Sequence, residues 1–414
     1  MELLAAKMDP MKGHYPMKHL FASLLLVGLL AVPATAEVVV EKHENGKTKL
    51  RYVVDAQGRK DGSYAEYFPN GKVKVRATYK VGKLDGPYTE NDEDGQKSVS
   101  AVYRTGKLHG TLSQYVKGRT VLTQPFEDGK LVHPKSLGDI RAKLKAILTP
   151  GGDRATSGLA ADRQAVLRRL KAYRYLMDVP YDNLVIDDKM NEAAQAAAKL
   201  CAKLGRLDHT PKNPGWPEDE FKLAFKGATH SNLAWSTSQG LTWAMAGWID
   251  DSDEGNVDRL GHRRWCLNPP MKKVGFGKSG EYMAMWCFDT SQPKVPDYRF
   301  VSYPARGLMP VEYFPATNAW NVSLNPKKYR KPADSIEPKI YRVDGQLKKQ
   351  GEPLKLNYAN VNNLPFGVPY CIIFRPEKSA VAAGKRYLVE IEGLKLSSGL
   401  STVLRFVVEF VRLR

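Results

Sequence analysis

The sequence predicts a multidomain α+β protein with three folded parts: an N-terminal β-hairpin repeat array, a central unit mixing helices and strands, and a C-terminal antiparallel β-sandwich. Three observations carry this. Glycines 62, 86 and 110 recur every 24 residues, and a fixed period of about 20–50 residues marks a repeat array. Apolar residues then recur at helical spacing between positions 162 and 250. After residue 297, short β-type runs alternate with Pro-, Gly-, Asn- and Asp-rich turns. A length of 414 residues suits about two to four domains. The 43% hydrophobic content excludes a largely disordered chain, and four cysteines are too few for a disulfide-built scaffold. The net charge of +19 points to anionic partners or to a solvated charged surface.

Residues 20–32, LFASLLLVGLLAV, are uncharged, follow Lys18 and His19, and precede Pro33-Ala-Thr-Ala36. This is the pattern of a secretory signal peptide over 1–36, with cleavage expected after Ala36. The run of 13 residues is short of the roughly 20 that span a bilayer. Met17 competes with Met1 as the start. Export would make the chain secreted, periplasmic or envelope-associated, where disulfides are permitted. No later segment approaches a transmembrane span. The mature charge becomes +18, and half of it falls in residues 301–414.

Residues 37–135 form the repeat. Tyr79-Lys-Val-Gly-Lys-Leu-Asp-Gly86 returns as Tyr103-Arg-Thr-Gly-Lys-Leu-His-Gly110. Alternating residues such as Lys72-Val-Lys-Val-Arg-Ala-Thr-Tyr79 lie between Asn-Gly and Asp-Gly turns, so each unit is expected to be one β-hairpin. Tyr64, Tyr67, Tyr79, Tyr88 and Tyr103 are expected to pack between repeats rather than to form a ligand platform. Gly62-Ser-Tyr-Ala-Glu-Tyr-Phe-Pro-Asn-Gly-Lys72 resembles MORN-type repeats.

Residues 136–296 carry the candidate chemistry. Val166, Leu170, Tyr173 and Met177 share a face of a helix expected over 162–178. A second helix is expected over 188–204, where Gly205 suits its end and several alanines allow close packing. A third is expected over 238–250. Strands are expected at Lys273–Gly277 and Tyr282–Phe288. Cys266 and Cys287 flank this hairpin and are the preferred disulfide, whereas Cys201 and Cys371 are expected to be buried thiols.

Gly205-x-Leu-x-His209-x-Pro211, Asn232-Leu-Ala, Trp248-x-x-Asp251, Gly261-His-Arg-Arg264 with Leu267-Asn-Pro269, and Val274-Gly-Phe-Gly277 together resemble the CAP superfamily. These are the cysteine-rich secretory, antigen 5 and pathogenesis-related 1 (SCP-like) proteins, here of bacterial type. The resemblance implies an α-β-α sandwich with an open cleft that gathers two His and two acidic residues. His209 and His262 match the two His, Asp251 matches one acid, and Ser231 stands where the other acid is expected. The cleft is therefore expected at His209, His230, Ser231, Asn232 and His262. Zinc held by His209 and His262 would need help from His230 or Asp251, since stable sites use three or four protein ligands; no cofactor is the leading expectation. A Ser231–His262–Asp251 hydrolase has the required residue types, but no G-x-S-x-G elbow surrounds Ser231.

Residues 297–414 resemble fibronectin-III or immunoglobulin-like modules at Ala383–Gly393. No nucleic-acid motif occurs. The leading expectation is a non-enzymatic exported protein that binds an envelope lipid, glycan or protein. A metal-dependent, peptidase-like hydrolase using His209, His262 and Asp251 is the rival, and an envelope adhesion or scaffold protein is the third reading.

Overall fold

The computed structural model describes residues 36–151 and 157–414, so the expected signal peptide lies outside the described residues apart from Ala36. Between Glu37 and Leu131 the chain forms a ten-stranded antiparallel sheet, in which each long strand pairs with the next in sequence. The turn glycines are Gly46, Gly71 and Gly95, with Gly58, Gly82 and Gly106 at the other edge, all at positive φ. Gly62 and Gly86 do something else. They lie inside strands at φ 117° and 120°, opposite Tyr79 and Tyr103. A Cβ there would meet Val53 at 3.2 Å and Thr78 at 3.3 Å. The period thus marks a backbone conformation that glycine alone adopts easily. Tyrosines pack between strands as expected, tilted or edge-on, with ring centroids 5.5 Å apart for Tyr64–Tyr79 and for Tyr88–Tyr103.

The central unit has a four-stranded sheet of Val185–Ile186, Lys273–Ser279, Tyr282–Trp286 and Ser231–Trp235, in that spatial order. On one face Val274, Phe276, Met283 and Met285 join the core of the Gly158–Leu176 and Leu241–Asp250 helices. The opposite face carries Leu233, Ala284 and Trp286 against the alanines of the Asp188–Leu204 helix and Ala228 of the Glu218–Thr229 helix. Close approach explains the glycines. A Cβ on Gly275 would lie 2.2 Å from the Met190 backbone, and one on Gly277 would lie 2.3 Å from that of Ala194. Gly227 lets the Glu218–Thr229 helix meet Ala193 in the same way. The Asp188–Leu204 helix has the expected limits, with Asp187 capping its start and Gly205 at φ 67° ending it. The third expected helix begins later, at Leu241. Helices at Leu137–Leu148, Glu218–Thr229 and Gly261–Cys266 were not anticipated.

The C-terminal unit has two four-stranded sheets. Trp320 of one sheet meets Tyr387 and Phe410 of the other at ring distances of 6.0 and 5.8 Å. The strands expected from the β-type runs are present, but Gly307–Pro310 pairs in parallel with Ser401–Val411, which departs from a wholly antiparallel plan.

These parts share cores. The apolar cluster around the Gly158–Leu176 helix runs on into Trp320, Phe374 and Phe410. Leu108, Leu112, Leu122 and Phe126 of the array pack against Val343, Leu347, Leu388 and Val407. The array is therefore seated on the C-terminal unit along its second half, and its first half extends beyond that contact.

Candidate functional site

Ser231 and Asn232 begin the edge strand of the central sheet, directly after the Glu218–Thr229 helix. His262 lies in the first turn of the short Gly261–Cys266 helix, and Asp251 ends the Leu241–Asp250 helix in a left-handed conformation. That conformation turns the Asp251 carboxylate back toward the short helix. One oxygen accepts from His262 Nδ1 at 2.8 Å and the other from the Arg263 backbone N–H at 3.2 Å. His209 Nδ1 is 2.9 Å from the Ala228 carbonyl. An imidazole nitrogen facing a carbonyl or carboxylate must carry the proton, so both rings keep Nε2 for the cavity they line. Burial holds His209 below the ordinary imidazole value, and the neighbouring His262 and Arg259 push the same way against its hydrogen bond to Ala228.

The cavity has a volume of about 280 Å³ and brings together His209, Ser231, Asn232 and His262. Ser231 is 3% exposed and its Oγ has no protein hydrogen-bond partner. Asp251 stands behind His262 and does not line the cavity. His230, expected in the cleft, lies outside its lining. Its ring stacks on Trp286 at 4.8 Å and its Nδ1 is held near the Lys226 carbonyl at 2.9 Å. Asn232 is held in place from both ends of its amide: Nδ2 donates to the His262 carbonyl at 3.1 Å and Oδ1 accepts from Cys287 Sγ at 3.4 Å.

The expected Cys266–Cys287 bridge is not formed. Both are buried free thiols, and the Asn232 amide bonds to each of them. Burial pushes both thiols well above the ordinary range, so neither is a reactive thiolate. Cys201 and Cys371 are also buried and free.

The donor set does not suit zinc. Of the candidate ligands His209 and His262 line the cavity, while both Asp251 oxygens are committed elsewhere. Among the described residues, no three His, Cys, Asp or Glu side chains gather where an ion would sit, against the three or four that stable zinc sites use.

Sequence reasoning missed Thr229, Asn256, Arg259, Trp265, Phe288 and Phe366, which complete the lining with Gly261. It also missed the work of the two motif arginines. Arg263 is fully buried and donates to the Ile249 and Ala319 carbonyls and to Asn321. Arg264 donates to the Val368 carbonyl at 2.8 Å, to Asn362 at 2.9 Å and to the Leu364 carbonyl. Both arginines thus bind the central unit to the C-terminal one. The signal was available, since arginine suits multi-acceptor buried sites, but the acceptors lie about 50–100 residues downstream and are mostly backbone.

The central unit is thus a sheet covered by helices on both faces, with two histidines and a buried acid at one end. Residues 167–283 match the family described as CAP, the cysteine-rich secretory protein family. No curated protein matches. Two solved structures are similar. One is an extracellular protein containing a SCP domain from Bacillus anthracis str. Ames, at 13% identity and a TM-score of 0.23 over 60% of this chain and 84% of that one. The other is a cysteine-rich secretory protein from Staphylococcus aureus subsp. aureus Mu50, at 10% identity and a TM-score of 0.22 over 60% and 82%. No described helix is long and apolar enough to cross a membrane.

Proposed function

We propose that the protein holds a small ligand in the CAP cavity and does not turn it over, and that it does so at the cell envelope after export. The cavity itself carries this reading: His209 and His262, each anchored through Nδ1, line one space of about 280 Å³ together with the rings of Trp265, Phe288 and Phe366. The hydrolase reading has one observation in its favour, the oriented Asp251–His262 pair. That pair would be the base and its orienter, but Ser231 makes no hydrogen bond to it, as a nucleophile requires. Purified protein incubated with peptide and ester substrates should show no turnover. Cleavage abolished by His262→Ala would overturn the binding reading.

Envelope docking is assigned to the outer face of the MORN-type array. Val40, Arg51, Ala65, Arg76, Thr89 and Ser100 stand in one row across six strands, because each pairs with the next. Both arginines are exposed and the row contains no acid. Two strands apart, they are about 10 Å from each other. This spacing suits an anionic envelope surface better than a single small anion.

A further inference from the structure

What the lining side chains have left to offer narrows the chemistry of the ligand, an inference that rests on the ligand-binding reading above. Ser231 contributes to the wall, but its Oγ is sealed from the cavity. Thr229 gives its O–H to the Phe225 and Lys226 carbonyls of its own helix, at 3.0 and 3.1 Å. Asn232 is engaged at both ends of its amide, and so is Asn256, which donates to Asp253 and accepts from Arg259. His209 and His262 carry their ring protons at Nδ1, toward the Ala228 carbonyl and Asp251. Each neutral ring therefore keeps a lone pair at Nε2, which accepts. The donors among these side chains are the Trp265 indole N–H and the Arg259 guanidinium, and the latter also meets Asp258 at 2.8 Å. No Asp or Glu lines the cavity. Most of the remaining lining is aromatic. Trp265 and Phe288 stack with centroids 3.9 Å apart, and Phe366 comes from the C-terminal unit. Arg264 lies over the Phe366 ring at 5.3 Å and holds the backbone on both sides, at Leu364 and Val368. Gly261 lets that ring approach, since a Cβ there would lie 3.2 Å from it.

We propose that this cavity takes a small uncharged aromatic ring that carries a hydroxyl, a ligand of the phenol class, with the hydroxyl at the imidazoles and the ring against Trp265, Phe288 and Phe366. A hydroxyl answers both kinds of partner at a single atom: its O–H donates to Nε2 of His209 or His262, and its oxygen accepts from Arg259 or Trp265. A carboxylate only accepts, and would set its oxygens against the Nε2 lone pairs. An ammonium group donates, but it would sit beside Arg259 with no acid in the lining to offset its charge. The volume admits about one ring, being near the lower end for ligand pockets. Packing against Phe366 gives the C-terminal unit a direct part in choosing the ligand.

The test is an NMR titration of the purified protein at pH 8 with phenol, anisole and cyclohexanol. At that pH an imidazole of ordinary pKa is neutral, and a phenol, like tyrosine, keeps its proton. Anisole retains the ring and an accepting oxygen but has no O–H. Cyclohexanol retains the O–H without the aromatic ring. Phenol should bind about fivefold more tightly than anisole, the discrimination expected of one net hydrogen bond. It should bind about two- to tenfold more tightly than cyclohexanol. Phe366→Leu keeps the bulk and loses the ring, and should weaken phenol by about the same two- to tenfold, with circular dichroism showing the variant folded. Equal binding of phenol and anisole would overturn the hydroxyl assignment and leave the cavity a binding site. Equal binding of phenol and cyclohexanol, or binding unaffected by Phe366→Leu, would overturn the aromatic wall. If none of the three probes binds, the proposal falls. If a library of neutral fragments also leaves the His209 and His262 ring signals unmoved, the ligand-binding reading falls with it.

Discussion

Ser231→Ala measures what the unpartnered hydroxyl beside the cavity costs the fold. Ser231 is 3% exposed and its hydroxyl has no protein partner. An unsatisfied buried hydroxyl costs about 1–3 kcal/mol. Removing one oxygen opens a space of about 10–20 Å³, and at about 24 cal/mol per Å³ this returns less than about 0.5 kcal/mol of destabilisation. The balance favours the variant by about 0.5–2.5 kcal/mol. For a cooperative unit of about 150–250 residues that raises Tm by roughly 1–10 °C. Thermal unfolding followed by circular dichroism reads the shift, and urea unfolding checks that the m-value is unchanged. A loss of about 1 kcal/mol or more would mean that the hydroxyl is already satisfied in the native state, and would refute its reading as an unpartnered buried group.

Further outcomes follow from the packing and the charges. Gly277→Ala places a Cβ 2.3 Å from the Ala194 backbone, so urea unfolding should show a loss of about 3 kcal/mol or more. Gly247→Ala, with nothing within 4 Å of the new Cβ on an exposed helix position, should instead gain up to about 1 kcal/mol. His209 has a lower pKa folded than unfolded, so the unfolded state binds more protons in the window from about pH 6.5 down to the folded value. Stability should fall as pH drops through that window, and His209→Gln should flatten the slope in pH-dependent urea melts. Arg264→Met strips donors from the Val368, Leu364 and Arg259 carbonyls and should cost about 2–4 kcal/mol by the same measurement. Arg51→Glu with Arg76→Glu should abolish retention on vesicles rich in anionic lipid without moving Tm; unchanged retention would refute docking through that face.

Local chemistry was legible in the sequence, and long-range pairing was not. The alanine-rich stripe and Gly205 defined one helix to the residue, because periodicity and C-terminal capping are local signals. The Glu218–Thr229 helix carried a comparable signal in its acidic first turn, Glu218-Asp219-Glu220, and in Ala224 and Ala228, and was overlooked between two motif segments. The family resemblance found His209, His262 and Asp251, and the structure brings the two histidines to one cavity with Asp251 behind. It placed His230 too close, because adjacent residues in a strand or turn need not share a face. The Cys266–Cys287 expectation failed because sequence proximity to a hairpin cannot reveal that an amide, Asn232, meets both thiols. Phe366 and the two arginine clamps depend on a second unit folding onto the first, which no local pattern encodes. The same fact alters how the array is tested. Its Leu108, Leu112, Leu122 and Phe126 are buried against the C-terminal unit, so deletion of residues 37–135 would expose an apolar face, and point substitutions on the outer face are the cleaner probe.

A single ligand cavity shared by both histidines is probed without mutation by a long-range ¹H–¹⁵N spectrum of the histidine rings, recorded with and without fragments from a small-molecule library. Free His209 and His262 should each carry a proton on Nδ1, and one ligand should move the Nε2 signals of both rings together while His230 stays still. A ligand that moves His230 instead, or moves one imidazole of the pair and not the other, would contradict a single cavity shared by both.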